Sequence, residues 1–209
     1  MDTNDAAELI AELCEDRAEK ADEAHFANRA ALLIAAMAAV LAIGGLGGGN
    51  ATDDMMIGNI RASDTWAFYQ AKNIRQTAYE IEAAELESRL VGASGAQAHD
   101  LNGRIAKYRA KVARYDDEPD PAAPDDPLKG EGKKQLMAQA KVFEAMRDRA
   151  SEQDNNFDYA EVVLQLALVL GSVAILAGNR TVLTVSALLG AIGTVLTLNG
   201  FFLLFPIPF

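Results

Sequence analysis

The chain has 209 residues, one or two domains' worth, and half of them are hydrophobic while only 23% are charged. Its formal charge of −11 repels phosphate backbones, which argues against nucleic acid as a partner. With Cys14 the only cysteine, an internal disulfide is excluded.

Residues 1–29 form an acidic tail, nine carboxylates against Arg17, Lys20 and Arg29. Such a leader is too long and too acidic for a cleaved signal peptide, so the apolar run after it reads as an uncleaved anchor. That run, residues 30–49, carries no charge, and at about 1.5 Å per residue it is roughly 30 Å long, the thickness of a bilayer's hydrocarbon core. Within it Gly44 and Gly48, like Gly45 and Gly49, have the small-xxx-small spacing that lets another helix approach closely.

Residues 50–159 are predicted to be an extramembrane, coiled-coil-like helical domain. In its first helix, about 52–91, Ile60, Ala67, Ile74 and Ile81 fall seven apart with Ala71 and Ala78 between them, which predicts an internal seam. The turn "GASGAQ" leads to a helix over about 97–115 with a seam of Leu101, Ile105, Tyr108, Val112 and Tyr115. The acidic, proline-rich stretch 116–132 predicts a mobile loop. From about 133 a stripe of Leu136, Ala140, Phe143 and Ala150 runs on toward Phe157 and Tyr159, and nothing breaks the helix before about 177.

Two further apolar spans, 160–178 and 181–205, are separated by "NR" and predict a C-terminal hairpin in the membrane. The fold class expected is therefore all-α, with three transmembrane helices and an extramembrane helical domain. Arg17, Lys20, Arg29 and the turn's Arg180 place the N-terminus and the turn in the cytoplasm, and residues 50–159 and the C-terminal FPIPF on the other side, against a weaker opposing signal from Arg147 and Arg149. Gln165 and Asn199, polar inside the later spans, are expected to bond across helices.

The stretch "ASDTWAFYQAK" crowds Trp66, Phe68 and Tyr69 into a polar surrounding. Trp66 and Tyr69 read as anchors, either at the headgroups or as knobs between helices with the indole bonded to Asp64 or Gln70, and the same residue types suit a docking surface. Ala62, Ser63, Asp64, Trp66, Tyr69, Gln70, Ala71 and Lys72 form the pattern Ala-Ser-Asp-x-Trp-x-x-Tyr-Gln-Ala-Lys. With the acidic tail, one span before it and two closely spaced spans after the charged helices, the chain resembles the bacterial membrane-protein family named domain of unknown function 4337. The resemblance implies the architecture and no activity. Members tend to carry several arginines between the last two spans, where this chain has only Arg180.

No nucleophile lies beside a histidine base, no phosphate loop is present, and His25 and His99 stand apart from any ligand set. The sequence thus predicts no catalytic, cofactor or metal site. It predicts a non-enzymatic protein of the bacterial inner membrane whose partners are lipid and either its own copies or a larger membrane complex. Its interaction candidates are Asp64, Trp66, Tyr69, Gln70, Lys72, Gly44 and Gly48. The competing reading is a small oligomeric channel or transport component lined by Ser172, Ser186, Thr194 and Thr197.

Overall fold

The computed structural model describes residues 3–207; the side chain of Cys14 and the end of FPIPF lie outside the described residues. Four helices follow one another: α1 (Thr3–Leu90), α2 (Gly95–Asp116), α3 (Lys133–Leu176) and α4 (Arg180–Phe202). Among the described residues no strand forms, only an isolated bridge between Pro119 and Gly130. The fold is all-α, and α1, α3 and α4 each hold a stretch long and apolar enough to cross a membrane.

The chain divides into two compact units, one holding the residues up to Thr52 and those from Ala150, the other Asp53–Arg149. The acidic tail, the first span and the helix after it, which the sequence suggests as successive pieces, are one helix of 88 residues. The glycine run does not break it. In a hydrocarbon surround a backbone amide has only its own helix to bond to, so glycine's propensity cost of about 1 kcal/mol does not open the chain there.

In the first unit, glycines receive the large side chains of neighbouring helices. Met37 of α1 lies against Gly190 of α4, and a methyl group on Gly193 of α4 would sit 2.6 Å from Cγ of Leu164 in α3. Phe157 of α3 is the largest such knob: it fills the space over Gly47 of α1 and Gly200 of α4, and its ring meets Phe201 edge-on at 4.9 Å. Met37, Leu164 and Ala167 form the buried centre. Where no hydrophobic force separates helix from lipid, such close contact is what holds helices together.

Polar groups here are closed on themselves. Ser186 donates to the Ala167 carbonyl at 2.7 Å, and Thr194 and Thr197 donate to the carbonyls of Gly190 and Gly193 four residues back. Ser172 likewise donates to the Leu168 carbonyl. Asn199 is fully buried and does bond across helices, its amide donating to Asn156 Oδ1 at 2.7 Å and to the Phe205 carbonyl, while its oxygen accepts from the Phe205 amide. It thereby folds the chain back after Leu203, which caps α4 in the left-handed conformation at φ 49°. Gln165, by contrast, is exposed and donates to Glu161 on its own helix. At the other end of the spans Asp22 of α1 pairs with Arg180 at the start of α4, so the N-terminal flank of the first span and the α3–α4 turn lie together.

Gly45 faces open space whereas a methyl on Gly200 would lie 2.7 to 2.8 Å from three Phe157 ring carbons. Gly200→Ala should therefore destabilise the unit by about 1–3 kcal/mol through overpacking, and Gly45→Ala should be neutral or mildly stabilising. Thermal unfolding in mild detergent checks the pair; equal midpoints for the two variants would refute the knob-and-glycine account.

Candidate functional site

The inward face of α1 in the second unit is not the isoleucine stripe. Ile60, Ile74 and Ile81 are 52%, 70% and 64% exposed, and the expected internal seam is corrected accordingly. The residues turned inward are Gly58, Ala62, Tyr69, Lys72, Gln76, Tyr79, Ala83 and Leu86, alternating by three and four from Tyr69 on. At about 100° per residue this row, offset by two positions, lies on the opposite side of the helix. Counting apolar residues picks the wrong side because the buried row is built from aromatics and polar groups with partners elsewhere in the chain. The α2 seam is as expected, with Leu101 buried and Ile105, Tyr108, Val112 and Tyr115 partly so. In α3, Leu136, Ala140, Ala150 and Phe157 are buried, but Tyr159 is half exposed.

Trp66 is a knob between helices, though its indole N–H donates to Glu144 Oε1 of α3 at 2.8 Å and not to Asp64 or Gln70. Its ring meets Tyr69 edge-on at 5.4 Å, a favourable arrangement for two aromatic quadrupoles. Lys133 of α3 lies 5.8 Å from the Tyr69 ring and donates to Asn73 Oδ1 at 3.0 Å. Gly58, lower on the same face, meets the backbone of Arg147, and Arg61 sits over the Phe143 ring at 5.8 Å.

Lys72 is the centre of the arrangement. Its side chain is 4% exposed, donates to Glu118 Oε2 at 3.0 Å and lies 3.6 Å from Glu131. The faces of Phe68 and Tyr115 lie 5.3 and 5.7 Å from the ammonium. A buried ammonium is tolerable only with such partners. Further along, Gln76 donates to the Val112 carbonyl, and Tyr79 stacks on Tyr115 and meets Tyr108 at a tilt, with Lys111 donating to its hydroxyl at 3.0 Å.

Glu118 and Glu131 flank the proline-rich segment, so Lys72 grips both ends of it. The segment is loop, as its prolines require, but it has a defined course. The amide of Glu131 donates to the Glu118 carbonyl at 2.9 Å, closing a neck, and Asp120 and Asp126 accept from amides two residues on. Gly130, at φ 112°, and Gly132 lie so near Glu118 that a methyl group on either would collide with its backbone; the positive φ and the contact both call for glycine. Asp117 accepts from Gln135 and Lys134 of α3. The Gln135 hydrogen bond, then Lys134, holds the Asp117 carboxyl below the usual aspartate range.

The interaction candidates therefore separate. Trp66, Tyr69 and Lys72 converge inside one chain, Gly44 packs against Thr197 and Gly48 against Phe157 of the same chain, while Asp64 and Gln70 face outward. Glu118, Glu131 and Glu144 are essential to the cluster and were beyond sequence reasoning, because they lie 46 to 78 residues from their partners or on a stretch read only as loop. Among the described residues no group of three or more His, Cys, Asp or Glu is placed to hold a metal ion.

Residues 26–203 match the family described as Domain of unknown function (DUF4337). No curated protein and no solved structure matches the chain.

Lys72→Met would remove the cation that Glu118 and Glu131 share, leaving Glu118 only Arg114, 3.4 Å from its other oxygen. We expect a loss of about 2 kcal/mol at the loop neck, the usual worth of a hydrogen bond to a charged group. Hydrogen exchange at the loop amides should accelerate roughly 30-fold; unchanged exchange would show that the loop is held without the lysine.

Proposed function

The chain belongs to the DUF4337 family, a membrane-associated domain whose match takes in all three apolar spans and the helices between them, and from that premise we propose a non-enzymatic scaffold or accessory subunit of a membrane complex, oligomeric through its helix surfaces. The observation that carries the reading is the row of exposed isoleucines on α1, Ile60, Ile74 and Ile81. They stand outside the apolar run 30–49, on a helix whose opposite side is already packed. A row of exposed large apolar side chains along one helix face suits a protein contact. The aromatic motif supports it indirectly, since its residues brace the extramembrane helices and make that surface rigid, which lowers the entropic cost of binding. Mass measurement in lipid nanodiscs or mild detergent tests the reading: a multiple of the 22.3 kDa chain, or a stable partner, is expected. A strict monomer with nothing bound would overturn it.

The orientation proposed has the N-terminus on the cytoplasmic face of a bacterial inner membrane and residues 50–159 in the periplasm. The nearness of Asp22 and Arg180 supports it, because it gathers Arg29 and Arg180 at one end of the spans, and basic residues collect on the cytoplasmic side. With the outer membrane permeabilised, a membrane-impermeant maleimide should miss Cys14 and label a cysteine placed at Asp125. Labelling of Cys14 alone would invert the orientation.

A further inference from the structure

We propose that the outward row of α1 is a second heptad seam, and that its occupant is the same row of a second copy of this chain, parallel and in register. This rests on the oligomeric reading above and names its partner. Ile57, Ile60, Ile74 and Ile81 are exposed, at 46% for Ile57 and more for the others. Ala67, Ala71 and Ala78 complete the row with Asp64, so that eight consecutive positions from 57 to 81 alternate by three and four. An apolar row with a 3.5-residue period stays in contact only with another helix that supercoils around it; a flat surface imposes no such period. The alanine layers admit a helix axis at the close end of the 8–10 Å range.

Two features select a second copy over a foreign helix. The first is direction. α1 is continuous with the first apolar span, so two copies in one bilayer present their α1 helices running the same way. In that pairing each isoleucine layer meets itself, as a two-fold interface requires. The second is charge. The flanking residues that face each other across a parallel pair are Ser63 and Phe68, Gln70 and Arg75, and Thr77 and Glu82, and none of these pairs sets like charges together.

The one charged layer in the row is Asp64 against the Asp64 of the second copy. Two carboxylates in such a layer repel, which weakens association. Aspartate at this position thus limits the strength of the pairing, as a polar residue at a single core position of a coiled coil does.

The test uses the full chain in its membrane, with Cys14→Ser removing the only native thiol. Ile60→Cys, Ile74→Cys and Glu80→Cys, all at exposed positions, are oxidised separately. Dimers at both 60 and 74 and none at 80 are expected, because only a parallel, in-register pair brings each of two separate positions against itself at disulfide distance. Adding Asp64→Asn should speed dimer formation roughly tenfold at neutral pH, the ratio expected when a charged layer becomes a neutral hydrogen-bonding one. If no seam cysteine cross-links while the protein's mass is still oligomeric, the seam is wrong and the oligomeric reading stands. A monomeric mass would remove both. Equal cross-linking at position 80 would show mere collision and overturn the seam, and an Asp64→Asn rate equal to that of the parent would overturn the role given to the carboxylate.

Discussion

Inside hydrocarbon a peptide group has no water to turn to, and every amide must be answered by its own helix or by a neighbour. This constraint explains why α1 passes through five glycines in its last apolar turns without a break, and why the hydroxyls of the later spans point back at carbonyls. It also explains the weight carried by Asn199. Its buried amide serves chain that has already left its helix, taking up both backbone groups of Phe205. Continuity of α1 has a mechanical result as well: one helix carries the rows that pack the spans and the row that packs the extramembrane helices.

Beyond the spans, cohesion passes from close packing to charge and aromatic contact. Lys72 is costly to bury, and its burial is offset only because two glutamates and two ring faces surround it. The dense aromatic motif in a polar stretch is thereby explained. Trp66 and Tyr69 fix α3, Lys72 fixes the loop, and Tyr79 fixes α2, all from one side of one helix. The alanine-rich helices could not supply that cohesion from apolar area alone.

Helix boundaries beyond α1 were legible because glycine, proline and charge punctuate the chain: the "GAS" before Gly95, the proline-rich residues 117–132 and residues 177–179 lie between helices. The α2 seam was legible for the same reason, its apolar residues being its buried ones. The side of α1 that faces inward was not. Isoleucine at 60, 74 and 81 makes a stronger pattern than Lys72 and Gln76, yet the buried row is the latter, because burial there depends on Glu118, Glu131 and the Val112 carbonyl, partners with no local signature. The clash of Gly130 and Gly132 with Glu118 was hidden for the same reason, and so was the ordered course of a segment whose composition resembles that of a disordered one.

The closed neck of that loop separates its tip from everything it is attached to. Because the backbone of Glu118 is bonded to Glu131 and both side chains meet Lys72, the residues between Asp120 and Leu128 enter and leave at nearly one point. Lengthening or shortening a tip of this kind changes only the slowly varying entropy of a loop already closed. The fold therefore contains a site where sequence length can drift between relatives, or a foreign peptide be carried, while the four helices keep their registers.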